Sequence, residues 1–273
     1  ILRSSLAGVI LRMKSLHLGD VEDFPFLQAP LPKMISDGYQ LLGELGAVDE
    51  VRQLTPVGRE LAKLPLDPKI GRMILAARDE GALHEVLVIA AALSLPDPRD
   101  RPAERAGSAD QAHAKWKDEK SEFLSYLKLW DAADAVWKHE SSSKQKSWCR
   151  DNFVSWMRLR EWRDIHGQLH VLCTEHGWKE NEVPATYEAI HRALLAGLLG
   201  QIGLKSEEDG PSGHYLGAHG IKFHIHPGST LQKKAGRWIA AAELVETSRL
   251  FARCVAKIEP EWLERVATHL IRR

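Results

Sequence analysis

The sequence is poor in the features that mark secreted, metal-binding or membrane proteins. It has only three cysteines, Cys149, Cys173 and Cys254, at spacings that match neither a zinc motif nor a disulfide framework. No apolar stretch is long enough to cross a bilayer, and no targeting segment is visible. We therefore expect a protein of the reducing cytoplasm that has no membrane partner.

An excess of charge of either sign is also missing. The 37 Lys and Arg residues balance the 37 Asp and Glu residues, so the formal net charge is +0. Any surface that binds nucleic acid must therefore be a local patch rather than a property of the whole chain. The 273 residues, of which 44% are hydrophobic, suffice for two domains or three small ones with real cores.

Nothing in the sequence can cradle the phosphates of a nucleotide. A Gly-x-x-x-x-Gly-Lys-Ser/Thr loop is absent, and the glycine-containing stretch 197–203 has no Lys-Ser/Thr pair. We interpret that stretch as a strand. We accordingly predict no catalytic residue and no cofactor within this chain.

The N-terminal segment, 1–66, predicts a winged-helix domain. Two runs of apolar residues at helical spacing predict its first two helices, and they span 2–16 and 34–45. A short polar hairpin is predicted over 48–54. Thr55 and Pro56 then supply the N-cap and the first-position proline of a third helix.

The middle segment, 67–185, predicts a helical bundle. The cap-and-proline signal recurs at 67–68, and several prolines then break the helical pattern, so that 96–112 is predicted to be a long surface loop. Helical spacing resumes afterwards and includes a long helix over about 152–176. The many tryptophans fall among Leu and Phe at helical spacing, so we predict that they pack in the core rather than stack on bases.

The last segment, 186–273, changes from helical spacing to the alternation typical of strands. After a helix near 187–195, the strand candidates span 221–226, 238–245 and 251–258. Short strands joined by glycine-rich turns suit a small barrel of the oligonucleotide/oligosaccharide-binding (OB) type, closed by a helix over 260–270. The predicted fold class is therefore mainly α with a small C-terminal β-barrel.

Four histidines crowd this last segment and raise the question of a metal site. They are His214, His219, His224 and His226. Their spacing is poor for zinc and no cysteine accompanies them, so we interpret them as one polar strand face and two loop residues. We predict no metal site.

Six short motifs are spread over the whole chain. They read LTPVGR at 54–59, LPLDP at 64–68, IAAALS at 89–94, WCRDNF at 148–153, IHPGS at 225–229 and ELVETSR at 243–249. Together with the order winged helix, helical bundle and OB barrel, these motifs resemble the C-terminal half of DEAH-box RNA helicases.

Further stretches resemble the bacterial branch of that family named HrpA. They are DPRDRP at 97–102, KSEFL at 120–124, REWRDI at 160–165 and AELVETSRL at 242–250. Spliceosomal relatives usually carry an Asp-His pair near position 122, where this chain has Glu122 followed by Phe123. The resemblance therefore disfavours a splicing helicase.

The resemblance implies a part of a larger enzyme. The chain would be the C-terminal accessory region of an ATP-dependent RNA helicase that moves 3′ to 5′ along single-stranded RNA, and it would form part of the RNA channel. ATP and Mg²⁺ would be held by RecA-like motor domains upstream, because the residues from Ile1 onward resemble the stretch that directly follows the second motor domain. The implied partners are single-stranded RNA, those RecA-like domains, and the ribosome or ribosomal RNA.

Two other hypotheses stay open. The chain could be a freestanding nucleic-acid-binding adaptor without a motor, or a protein-interaction scaffold that docks through its helical bundle. Motor motifs upstream of Ile1 would contradict the adaptor, and binding of a protein partner without RNA would favour the scaffold.

Two sets of polar residues are candidates for RNA binding. The barrel set is a basic strand face with its loop, and comprises Lys222, His224, His226, Ser229, Lys233, Lys234 and Arg237. The bundle set, suggested by the helicase resemblance, comprises Lys120, Ser121, Arg158, Arg160 and Arg163. The alternative for each is an ordinary solvated surface, with Arg160 paired to Asp164 across one helical turn. Contacts should go mainly to phosphate and sugar, because a translocase must tolerate any sequence.

Overall fold

The computed structural model of the protein describes residues 6–207 and 213–270. The described helices are α1 (Ala7–Ser15), α2 (Pro32–Glu44), α3 (Pro56–Ala62), α4 (Pro68–Glu80), α5 (Leu83–Leu93), α6 (Ala106–His113), α7 (Glu122–His139), α8 (Ser142–Asp151), α9 (Trp156–Glu175), α10 (Tyr187–Ala196) and α11 (Pro260–Val266). The described strands are β1 (Ile202–Lys205), β2 (Tyr215–Gly217), β3 (Lys222–Ile225), β4 (Trp238–Glu246) and β5 (Leu250–Lys257). The predicted class, mainly α with a small C-terminal barrel, is confirmed.

The winged-helix part is built from local capping signals around α1, α2 and α3. The Thr55 side chain accepts a hydrogen bond from the backbone N–H of Gly58, and Pro56 occupies the first helical position, as predicted. A Cβ at Gly58 would collide with the carbonyl oxygen of Ala47, so glycine lets α3 approach the neighbouring turn. The predicted hairpin is reduced to one bridge between Val48 and Leu54.

The bundle, from α4 to α10, encloses the largest apolar core. Trp162 is completely buried and donates its Nε1–H to the carbonyl of Val88 at 2.9 Å. Trp116 and Trp130 are also buried, and the half-buried Trp137, Trp148 and Trp156 pack against the same core. The prediction that these tryptophans pack in the core is confirmed.

The predicted surface loop over 96–112 is wrong in its second half. The prolines restrict only the stretch up to Pro102, after which a 3₁₀ turn leads into α6. Ala109 and His113, one helical turn apart, turn one face of α6 inward. Alanine and histidine give a weak apolar signal, which is why the spacing alone does not reveal this helix.

The barrel has the strand order β1-β2-β3-β5-β4 and closes by pairing β1 with β4. Within the described residues, β3 and β5 are the parallel neighbours and the other pairs are antiparallel. Phe223 and Ile225 are buried whereas Lys222 is exposed, so the predicted alternation is confirmed along β3. Ile221 lies outside the strand and is exposed. β2 was not predicted, because three residues are too few to show alternation.

The winged-helix part also touches the C-terminal part directly. Gln40 of α2 lies 3.0 Å from the ring nitrogen of His219 in the barrel, and His269 donates to the carbonyl of Glu44 at 2.7 Å. The winged-helix part is therefore in direct contact with the C-terminal part as well as preceding it in the order of the chain. Of the helices in the described ranges, none combines the length and apolarity needed to span a membrane.

Candidate nucleic-acid interface

A cleft of about 1270 Å³ opens between the bundle and the barrel. Its bundle wall is formed by the start of α4, the end of α5, the segment 94–101 and α6. Its barrel wall is formed by the loop 226–230 together with parts of β4 and β5. The two walls come from segments far apart in the chain, so no local pattern could have placed them together.

Charged side chains of both signs line the cleft. The cations are Lys69, Arg99, Arg101, Lys117 and Arg253, and the carboxylates are Asp67, Asp97, Asp110, Glu122 and Glu243. Four of these carboxylates already accept bonds from the protein itself: Asp67 caps α4, Asp97 holds Arg99, Asp110 holds Arg101, and Glu122 accepts backbone N–H groups. Among the described residues, Lys69, Lys117 and Arg253 make no ion pair. Glu243, the fifth carboxylate, lies opposite Arg253 on the neighbouring strand. Lys69, Lys117 and Arg253 are thus the cleft cations that no ion pair occupies in the described part of the chain.

Asp97 and Arg99 form a two-point ion pair on the bundle wall. Arg99 Nε and Nη2 donate to the two carboxylate oxygens of Asp97 at 3.0 and 2.7 Å. Burial alone would raise the pKa of Asp97, but the attraction and hydrogen bonds of Arg99 outweigh it and hold that pKa below its ordinary value. Both groups therefore stay charged near neutral pH.

The segment 97–100, which carries this ion pair, is held by hydrogen bonds to the start of α9 and the residues before it. Asp100 N–H donates to the carbonyl of Phe153, and Ser155 N–H donates to the carbonyl of Pro98, each at 2.8 Å. Arg158 adds two bonds of 3.0 Å from one nitrogen, to the backbone oxygen of Asp97 and the carboxylate of Asp100. Arg158 is thus a brace of the bundle wall.

On the barrel wall, His226 is held as a neutral ring. Its Nδ1 accepts a hydrogen bond from the backbone N–H of Gly228 at 3.0 Å, so the ring proton is on Nε2. Burial, followed by the nearby Arg253, lowers the pKa of His226 below its ordinary value, although Glu122 opposes them. His226 can therefore donate from Nε2 near neutral pH without carrying charge.

A basic and aromatic strip leads across the barrel to the cleft. It follows the outer faces of β3 and β5, where the parallel register pairs His224 with Phe251. The ring of Phe251 lies 6.3 Å from that of His224 and 5.7 Å from that of His226. Lys222 and Arg253 flank these rings and are exposed. The strip combines ring faces with cations, as single-strand-binding barrels do.

The structure brings only part of the predicted barrel set into the cleft. His226 and Ser229 line it. Lys222 and His224 lie on the strip, and Lys233 and Lys234 are exposed on the loop that continues beyond residue 230. Arg237 pairs with Glu207 at 3.3 Å at a well-exposed position.

None of the predicted bundle set lines the cleft. Lys120 is exposed, whereas Ser121 is fully buried with its Oγ 2.7 Å from Nε2 of His191, so its side chain has no surface to offer RNA. Arg160 lies over the Trp156 ring at 4.8 Å rather than on Asp164. Arg163 is bound to Asp134 at 3.1 Å. RNA binding by Lys120, Arg158, Arg160 and Arg163 stays a prediction.

Sequence reasoning missed the residues that the cleft does gather. They are Lys69, Arg99, Arg101, Lys117 and Arg253, and the strip beside the cleft adds Phe251. The DPRDRP stretch contained a usable signal, since two arginines alternate there with aspartates that could hold them. Arg253 and Phe251 gave none, because their position depends on the pairing of β3 with β5.

Comparison with known proteins agrees with this architecture. Residues 39–66 match the winged-helix helicase associated domain (HA2), residues 67–154 match the ratchet-like helicase associated domain (HA2), and residues 190–271 match the OB fold. The chain is 45% identical to the ATP-dependent RNA helicase HrpA of Escherichia coli over 278 aligned positions, and 46% identical to the HrpA homolog of Haemophilus influenzae over 280.

Both alignments cover 100% of this chain but only 21% of the relative. The chain thus spans about a fifth of the length of the curated relatives it matches. The matched domains follow one another along the chain in the same order as the winged helix, the bundle and the barrel of the structure. The chain carries a winged-helix and a ratchet-like helicase associated domain (HA2) followed by an OB fold, and over its full length it is similar to one part of the HrpA proteins.

Proposed function

We propose that this chain is the accessory region of an ATP-dependent RNA helicase and that its cleft guides single-stranded RNA. The observation that carries the proposal is the division of charge in the cleft. Four carboxylates are held by donors of the protein itself, whereas Lys69, Lys117 and Arg253 make no ion pair in the described part of the chain. A neutral protein can in this way offer a local surface that attracts phosphate.

The geometry favours contact with the RNA backbone rather than with base edges. Lysine ammonium groups act as point charges that attract phosphate without reading sequence. Arg99 and Arg101 use two nitrogens each on their aspartates, which leaves a third nitrogen for a phosphate oxygen. His226 adds an uncharged donor. Such a surface tolerates any sequence, as a translocating enzyme requires.

In this proposal, the motor belongs to the parent protein. ATP and Mg²⁺ would act in RecA-like domains, and 3′-to-5′ movement would be driven there. The region 16–34 offers a surface for those domains, since Leu16, Leu18, Leu27 and Leu31 are exposed. A role at the ribosome and a cytoplasmic location stay predictions. The names of the relatives favour the helicase over a freestanding adaptor or scaffold.

A charge reversal tests the cleft. Lys69→Glu with Arg253→Glu should weaken the binding of a labelled oligouridine by at least about tenfold at low salt, because two phosphate contacts are replaced by repulsion. The control, Lys33→Glu with Lys179→Glu, makes the same change of net charge at exposed positions outside the cleft. Equal losses of affinity in both variants would show that the cleft is not the binding surface.

A further inference from the structure

Glu122 lies in the cleft, but its carboxylate accepts hydrogen bonds from the backbone of the barrel. As the first residue of α7, it accepts the N–H of Val255 on one carboxylate oxygen at 2.8 Å and the N–H of Thr230 on the other at 3.2 Å. Val255 belongs to β5, whereas Thr230 ends the 226–230 loop. One bundle side chain therefore holds two separate parts of the barrel.

The backbone next to Glu122 is fixed to the same strand. Lys257 N–H donates to the carbonyl of Lys120 at 2.9 Å, and Ser121 forms a bridge with Ala256. The hydroxyl of Tyr187 lies between the carbonyls of Lys120 and Lys257, at 3.1 and 2.7 Å. Several hydrogen bonds therefore attach this region to β5. Among the described residues, the hydrogen bond from Thr230 to Glu122 is the one that joins α7 to the 226–230 loop.

We propose that Glu122 is a positioning residue that sets the place of the 226–230 loop and thereby the separation of the two cleft walls. The proposal rests on the proposed function of the cleft, because the loop carries His226 and Ser229 into it. Bonds to an ionised acceptor are stronger than neutral ones, so a carboxylate fixes the loop better than an amide would. The loop is then ordered before RNA arrives, and binding does not bear the cost of ordering it.

Electrostatics and positioning predict opposite results for this residue. A carboxylate in a phosphate-binding cleft repels RNA, so removing its charge should strengthen binding if charge alone matters. If Glu122 positions the loop, removing its charge should weaken binding even though Glu122 itself does not bind RNA. Glu243 is the matched comparison, since it lines the same cleft, is exposed and lies opposite Arg253 on the neighbouring strand.

The test compares three variants of the whole chain by the affinity for labelled oligouridine. Glu122→Gln should lose about tenfold in affinity, which corresponds to the loss of one charge-assisted hydrogen bond. Glu122→Asp keeps the charge but shortens the reach, and should lose affinity to a similar degree. Glu243→Gln should gain about twofold, as expected for one exposed charge.

Amide hydrogen exchange supplies the second measurement. In Glu122→Gln, the N–H of Thr230 and Val255 should exchange faster, while N–H groups in the core helix α5 should keep their protection. If Glu122→Gln folds poorly, the same exchange measurement is made on Glu122→Asp, which preserves the charge at the start of α7.

Two results would separate failure of this proposal from failure of the cleft. A gain of affinity in Glu122→Gln like that of Glu243→Gln, together with weaker binding by Lys69→Glu with Arg253→Glu, would overturn the positioning role and leave the cleft standing. Unchanged affinity in all of these variants would overturn the cleft itself, and the positioning role with it.

Discussion

The two walls of the cleft are held in different ways. The bundle wall rests on the fully buried Trp162, which packs edge-on against Tyr126, and its arginines are tied to aspartates and braced by Arg158. The barrel wall depends on a short loop that a single carboxylate ties to the bundle. The bundle wall is therefore held by many contacts, and β5 in the barrel wall is held by several, whereas we expect one substitution to change the position of the 226–230 loop.

The largest effect on stability that we expect comes from His191, which lies where α7 and α10 meet β5. His191 is buried. Its Nδ1–H donates to the carbonyl of Tyr187 at 2.6 Å, and its Nε2 faces the hydroxyl of Ser121. Burial lowers the pKa of His191 from 6.5 to about 4. The folded protein therefore binds this proton less readily than the unfolded chain. The stability it contributes is present above pH 6.5 and is lost as pH falls towards 4.

Between pH 7 and pH 5, this one group should lower the free energy of unfolding by about 2 kcal/mol. The measurement is urea denaturation at both pH values, for the parent chain and for His191→Gln, which cannot take up the proton. His166 also has a lowered pKa through burial, so the difference between the two proteins is the quantity that reports His191. An equal pH dependence in both would place the effect elsewhere.

Two arginines of α9 differ in whether they support the bundle wall. Arg158 binds the segment 97–100, whereas Arg160 lies over the half-buried indole ring of Trp156 outside the cleft. We expect Arg158→Ala to cost about 1 kcal/mol of stability and to weaken RNA binding severalfold, because the wall is then without its brace. Arg160→Ala should change stability by less than about 0.5 kcal/mol.

The measurements are the melting temperature and the affinity for oligouridine of each variant. Equal behaviour of the two would mean that the hydrogen bonds of Arg158 are dispensable and that the wall is fixed by backbone pairing alone. A larger drop in affinity for Arg160→Ala would instead support direct binding of RNA by this helix face.

How far the sequence predicts this molecule depends on the range of each signal. The helix caps at Thr55 and Asp67 were readable because an N-cap acts within three residues. The burial of Ser121 was not, because it requires α10 to bring His191 against the start of α7. Phe251 likewise joins the strip only through the pairing of β3 with β5. Local elements were thus predictable, and the cleft that long-range packing assembles was not.

The smallest effect concerns the outer edge of the barrel wall, at Lys233 and Lys234. Both are exposed beyond the 226–230 loop, so Lys233→Glu with Lys234→Glu should change stability by less than about 0.5 kcal/mol. We expect this pair to weaken RNA binding severalfold and equally for different sequences, since ammonium groups attract phosphate without reading bases. The slope of log affinity against log salt should become shallower by about 0.7 for each phosphate that is no longer neutralised. An unchanged slope with an unchanged melting temperature would show that RNA leaves the barrel before this edge, so that the cleft ends at the 226–230 loop.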